Sequence, residues 1–124
     1  MTWVLLQVAA GGALGATARH LAGVAALRLA GSGFPWGTLT VNVAGSFLIG
    51  LAAALIEARG GARAVPFLLT GVLGGFTTFS AFSLETAALV GRGATDLAAL
   101  YVLLSVALSL AAVAAGLMTA RLVA

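Results

Sequence analysis

The chain has 124 residues, of which 62% are hydrophobic and only 7% are charged. Soluble domains carry about 25% charged residues, so the composition excludes a water-facing surface and predicts an integral membrane protein. The net charge of +3 comes from singly scattered Arg residues, which argues against a nucleic-acid partner, and the absence of Cys excludes disulfides and thiolate metal sites.

Long stretches without charged side chains divide the sequence, at residues 1–18, 29–56, 64–84 and 97–120. About 20 apolar residues cross a bilayer as a helix, so each stretch can span the membrane once. We therefore predict an all-α membrane protein with four transmembrane helices in a single domain, residues 1–124. The expected helices are Trp3–Leu27, Gly37–Ala58, Val65–Val90 and Thr95–Arg121.

The first predicted helix has small residues and one arginine on the same face. Gly11, Gly15, Arg19 and Gly23 are each four residues apart. Small residues at this spacing let helices approach closely, so we interpret the glycines as a packing face. Arg19 shares that face and is predicted to point into the assembly, where it would form an electropositive vestibule; the alternative is that it snorkels to the interface.

The second predicted helix follows a turn at Gly31–Pro35 and carries Thr38, Asn42 and Ser46 at intervals of four. A buried Asn costs several kcal/mol unless its amide finds partners. Asn42 could clamp another helix, which is a common use of Asn in membranes. The functional alternative is an amide N–H that donates to an anion.

The third predicted helix contains the segment around which the rest of the chain is organised, Gly71–Ser83. Its glycines and its Thr-Thr pair are unfavourable in a plain helix, because glycine costs about 1 kcal/mol relative to Ala and hydroxyls compete for backbone hydrogen bonds. Irregular backbone at membrane depth is tolerated only inside protein or along a cavity. We therefore predict a helix broken near Gly74–Thr78, at the functional centre.

Aromatic and hydroxyl side chains follow the predicted break. Phe79 and Phe82 share one face, with Ser80 and Ser83 beside them. Phe in a membrane helix is normally a packing residue, but the ring edge is electropositive and can face a dehydrated anion. Glu85 is the only acid in this helix, and it could pair with the arginine of the first helix, cap a water-filled mouth or mark the interface.

The fourth predicted helix begins at Thr95 or Asp96, either of which is a favourable N-cap residue. Tyr101, Ser105 and Ser109 then lie four apart on one face of a helix that is otherwise rich in Leu, Val and Ala. Hydroxyl groups aligned in this way could line an ion pathway. The alternative is that each Ser only donates to the backbone carbonyl four residues earlier.

The arginines show almost no bias between the two sides of the membrane. One side would hold Arg59, Arg63 and Arg121, and the other Arg28 and Arg92, with Arg19 near its end of the first helix. Because the Lys/Arg asymmetry sets orientation, such a chain could insert both ways and pair as an antiparallel homodimer. The alternative is that a short chain has too few charges to reveal its bias.

Three motifs resemble the Fluc (CrcB) fluoride channel family. They are the segment from Gly11 to Arg19, the segment from Gly37 to Phe47 with its Asn-x-x-Gly-Ser-Phe motif, and Gly71–Ser83 with its Gly-Gly-Phe-Thr-Thr-Phe-Ser motif. The match covers three helices in order, and the fourth fits by length and by its Tyr and Ser residues. The resemblance implies a passive fluoride channel that acts as an antiparallel homodimer, with pores along the interface.

The resemblance also implies roles for individual residues. Phe79 and Phe82 would coordinate fluoride by their ring edges, and Asn42 would donate to it. A polar track would consist of Ser80, Ser83, Tyr101, Ser105 and Ser109.

A structural sodium ion would be held by the backbone carbonyls of Gly74 and Thr77, and Arg19 and Glu85 would line the vestibule. One position departs from the family pattern. Ala81 stands where the family usually has Thr, which removes one hydroxyl from the track.

The main competing hypothesis is a small proton-coupled multidrug or cation antiporter of dual topology. Such a transporter needs a membrane-embedded acid, which Trp3–Ala18 lacks. An enzyme is not expected, because acid–base catalysis needs paired titratable groups and the chain has a single His20. The predicted location is the prokaryotic plasma membrane, with fluoride, lipid and a second copy of the chain as partners.

Overall fold

The computed structural model describes all residues from Met1 to Ala124 and consists of helices and short connections. We label the helices α1 to α5. Helix α3 is composite, with a 3₁₀ turn at Ala62–Ala64, a π-helix at Val65–Leu73 and one α-helical turn at Gly74–Phe76. The others are α1 at Thr2–Ala30, α2 at Trp36–Ala58, α4 at Phe79–Gly91 and α5 at Thr95–Val123.

The prediction of an all-helical chain with a broken third helix is confirmed. The break is narrower than expected, since only Thr77 and Thr78 leave the helix, with extended ψ angles of 155° and 122°. Helices α3 and α4 are thus the two halves of the predicted third helix.

Three segments are long and apolar enough to cross a membrane, namely Trp36–Ala58, Ala62–Gly91 and Thr95–Val123. Helix α1 has 29 residues but is not among them. Its polar side chains, which include Gln7, Arg19 and His20, make it less apolar than the others. The fourth span therefore stays a prediction.

The predicted cap of the last helix is wrong. Ala94 occupies the N-cap position of α5, and no side chain bonds to the first turn, so Thr95 and Asp96 are already helical. The side-chain cap occurs instead at the break, where Oγ1 of Thr78 accepts a hydrogen bond from the amide of Ala81 at 3.1 Å. Thr78 therefore starts α4.

Glycines allow α1 and α3 to pack backbone to backbone, as the spacing predicted for Gly11 and Gly15 but not for Gly23, where a Cβ would meet nothing within 4 Å. Gly11 and Gly15 are buried, and a Cβ atom on either would collide with the backbone of α3. Gly75 is equally tight, because its Cβ would lie 2.8 Å from the carbonyl oxygen of Gly12. This contact holds the end of α3, and hence the break, against α1.

Replacing Gly75 by Ala is expected to lower the free energy of unfolding by about 1–3 kcal/mol, because the added methyl group meets rigid backbone. The matched control is Gly91→Ala at the end of α4, where a Cβ would meet nothing within 4 Å. The measurement is the thermal unfolding midpoint of the detergent-solubilised protein. An equal midpoint for both variants would contradict the assigned close contact.

Candidate functional site

The side chain of Asn42 crosses from α2 to the break and holds its backbone. Its Nδ2 donates to the carbonyl oxygen of Thr78 at 2.9 Å, and its Oδ1 accepts from the amide of Thr78 at 2.7 Å. Asn42 thereby replaces two hydrogen bonds that a continuous helix would supply. This is the clamp that the sequence left open as one alternative. The second N–H of the amide is unused within the chain.

Arg19 reaches the other side of the break. Its Nε donates to the carbonyl oxygen of Gly75 at 3.1 Å, and the side chain is partly buried. Arg19 thus points toward α3 within the subunit, whereas its role in a vestibule of the assembly stays a prediction. Arg19 makes no ion pair with Glu85: its one hydrogen bond goes to Gly75, and the Glu85 carboxylate accepts from Thr38 and Tyr101.

Two backbone carbonyl oxygens at the break, those of Gly74 and Thr77, lack the donors that a continuous helix would supply, since the amide of Ala81 bonds to Thr78 Oγ1 instead of Thr77. In a continuous helix the amide of Thr78 would bond to Gly74, but it bonds to Asn42. Hard cations prefer such oxygen ligands. No group of three or more His, Cys, Asp or Glu side chains that could hold a metal is present. The carbonyls of Gly74 and Thr77 are therefore candidate ligands for a cation at the break.

An open groove of about 530 Å³ runs beside the break, between α2, α4 and α5. It brings together the polar faces that the sequence predicted separately on the second and fourth helices. Its polar and glycine lining is Asn42, Ser46, Gly74, Thr77, Thr78, Ser105 and Ser109. Its apolar lining is Ile49, Phe79, Phe82, Val106 and Leu110.

Two features of this groove suit a small anion. The hydroxyl of Ser105 is buried and lies near that of Tyr101, but it forms no hydrogen bond of good geometry, so its donor is available. The rings of Phe79 and Phe82 lie 5.3 Å apart between centroids, and Phe79 is 76% exposed whereas Phe82 is 8% exposed. One ring is therefore packed and the other projects from the subunit.

Three residues assigned to the polar track do not line this groove. Ser83 donates to the carbonyl oxygen of Phe79 at 2.9 Å, and the hydroxyl of Ser80 lies 3.2 Å from that of Thr78; both serines are exposed. Tyr101 is completely buried. A continuous track of all the predicted hydroxyls is therefore not formed within one subunit.

Glu85 belongs to a hydrogen-bonded triad behind the groove. It accepts from Thr38 Oγ1 and from the Tyr101 hydroxyl, each at 2.7 Å. The ring of Tyr101 contacts Phe82, with 5.3 Å between centroids. Thr38 and Glu85 also line a second cleft of about 320 Å³, which has Arg92 at its edge. The triad thus links α2, α4 and α5 beside the groove.

Three residues of the site were absent from the predicted set: Thr38, Ser46 and Thr78. Thr38 and Ser46 lie four residues before and after Asn42, so the spacing that identified Asn42 also indicated these two as site residues. The signal for Thr78 is its preference for helix N-caps, directly before the Phe-Ser run.

A family model described as "CrcB-like protein, Camphor Resistance (CrcB)" matches residues 6–117. Several curated relatives are named "Fluoride-specific ion channel FluC". The relative from Cereibacter sphaeroides is 58% identical over 117 residues, which are 94% of each chain. The relative from Paracoccus denitrificans is 58% identical over 121 residues, 98% of this chain and 97% of its own. The relative from Agrobacterium fabrum is 56% identical over 116 residues, with 92% and 93% covered.

Proposed function

Because this chain belongs to the CrcB family, in which the relatives above are named fluoride-specific ion channels, we propose that it is a passive fluoride channel. The observation that carries the proposal is the groove, in which Asn42, Phe79, Phe82 and Ser105 converge. Fluoride is small and strongly hydrated, so a pore must replace its water with closely placed donors. These donors must also bind weakly enough for the ion to leave.

Two hydrogen-bond donors in the groove are free to bind an anion. Asn42 has one amide N–H left after it clamps Thr78, and Ser105 has an uncommitted buried hydroxyl. The ring edges of Phe79 and Phe82 add weakly positive, uncharged surface. A site without a fixed positive charge favours passage over tight binding.

The break supports ion binding through its dipoles. The C-terminal end of α3, with its unpaired carbonyls, carries partial negative charge, and the N-terminal end of α4 carries partial positive charge. Discontinuous membrane helices use such ends to contact cations and anions, respectively. The start of α4 at Phe79 lines the groove, so its positive end favours an anion there.

We propose that the functional unit is an antiparallel homodimer with a structural sodium ion. The groove is open on the surface of a single subunit and Phe79 projects from it, so a second copy would complete the wall. Ser80 and Ser83 are exposed outside the groove, where a second copy could also contact them. The unpaired carbonyls of Gly74 and Thr77 fit the ligand chemistry of sodium, and Gly74 is exposed, where two copies could share the ion.

The channel would reside in a bacterial plasma membrane and lower cytoplasmic fluoride. Neutral HF enters from acidic surroundings and ionises inside, and the inside-negative membrane potential then drives the anion out. No energy source is required, because the electrochemical gradient supplies the driving force.

The test is anion efflux from liposomes that contain only this purified chain, with a potassium gradient and valinomycin to set the potential. We expect rapid fluoride efflux without chloride efflux. Equal efflux of both anions would contradict selectivity. No flux from well-folded protein would contradict a self-sufficient channel, and the antiporter hypothesis would then be tested by proton-coupled cation uptake.

A further inference from the structure

Arg19 has an unusual environment for a charged residue in a helix bundle. It is partly buried, no carboxylate oxygen lies within 4.0 Å of it, and its one hydrogen bond within the chain goes to the carbonyl of Gly75. Gly75 lies in the last turn of α3, directly before the break. A cation at this end of a helix meets the negative end of its dipole and satisfies a carbonyl that has lost its helical partner.

We propose that Arg19 is a positioning residue that fixes the end of α3, and not primarily a charge that attracts anions to a vestibule. Its Nε–H holds the Gly75 carbonyl on the α1 side, while Asn42 holds the Thr78 backbone from the α2 side. The two side chains thus fix both ends of the break. The carbonyl of Thr77 lies between these anchors and that of Gly74 directly precedes them, and both lack their helical donors because the amides of Ala81 and Thr78 bond to side chains.

This inference rests on the proposed function, because it concerns the backbone that would form the channel's cation and anion sites. It differs from a vestibule role in what it requires of the side chain. A vestibule needs the positive charge anywhere near the mouth. A clamp needs an N–H donor at the position of Nε.

Two substitutions separate these requirements. Arg19→Gln removes the charge but places a donor, Nε2, the same number of bonds from the backbone as Nε of Arg. Arg19→Lys keeps the charge but places a methylene group at that position. A clamp therefore predicts that Gln retains function and Lys loses it, and a vestibule predicts the opposite order.

The experiment measures hydrogen–deuterium exchange of the full-length protein in detergent, in parallel with fluoride efflux from liposomes. The reporting amides are those of Thr77, Thr78 and Ala81, which are hydrogen-bonded to Leu73, Asn42 and Thr78. We expect Arg19→Lys to accelerate their exchange about tenfold, because a hydrogen bond from a charged donor to the end of α3 is lost. Arg19→Gln is expected to stay within about threefold of the wild type.

The matched control is Arg28→Gln on the same helix, because the Arg28 side chain is exposed and makes no hydrogen bond within the chain. Misfolding of Arg19→Lys alone, seen by size-exclusion chromatography, would also support the clamp. Wild-type exchange in Arg19→Lys, or equal acceleration or misfolding in both Arg19 variants, would overturn it. If the wild type carries no fluoride, the channel proposal fails, but the exchange data still decide the role of Arg19.

Discussion

Asn42→Asp is expected to reduce fluoride efflux by at least about 100-fold while the subunit stays folded. The Oδ1 acceptor for the Thr78 amide is retained, but the donor to the Thr78 carbonyl and the N–H toward the groove are lost. The new carboxylate also repels the anion. Two like charges 4 Å apart repel by about 4 kcal/mol at an effective dielectric constant of 20, which exceeds the energy of a 100-fold effect.

The measurement is liposome efflux at neutral pH, with size-exclusion chromatography to show that the assembly is intact. Thr40→Ala is the matched control, because Thr40 lies on the same helix and its exposed side chain makes no hydrogen bond within the chain. A structural scaffold predicts a different result, namely lost assembly in Asn42→Asp. Efflux at the wild-type rate would remove Asn42 from the proposed pore.

Phe79→Leu is expected to reduce fluoride efflux about tenfold, the change produced by a lost aromatic contribution of about 1.4 kcal/mol. Phe79 is a better test position than Phe82, because its side chain is 76% exposed. Replacing it by Leu therefore removes few packing contacts within the subunit and should change stability little. Phe82 is buried against Tyr101, so its replacement would also disturb the core.

Phe67→Leu provides the control for Phe79, since Phe67 is a partly exposed phenylalanine of α3 that lies outside the groove. Its efflux should match that of the wild type, and both variants should have unfolding midpoints close to the wild-type value. Unchanged flux in Phe79→Leu would show that the projecting ring does not contact the ion.

Much of the site could be anticipated from local sequence. The spacing of four residues predicted the polar faces of α2 and α5, and both faces line the same groove, where Asn42, Ser105 and Ser109 meet. The glycines and the Thr-Thr pair predicted the break, because their backbone preferences act within a few residues. The roles of these residues in fluoride passage stay predictions, as do the sodium ion and the antiparallel dimer.

Other features could not be read from spacing. Ser80 and Ser83 follow Phe79 and Phe82 closely in sequence, but the rotation of α4 after the break directs the serines away from the groove. Glu85 had three possible roles, and its bonds to Thr38 and Tyr101 depend on how α2, α4 and α5 pack. The N-cap expected at Thr95 failed because side-chain preference is a weak guide to a helix start.

The sequence by itself determined the class of the protein, its helices and the position of the break, because composition, length and glycine content act locally. Only the tertiary structure decided which donors are already used. Asn42 and Arg19 each bond to a carbonyl that is distant in sequence, across separations of 36 and 56 residues, whereas Ser105 finds no partner. Such pairings depend on the register and distance between packed helices, which the glycine contacts set and which no local pattern encodes.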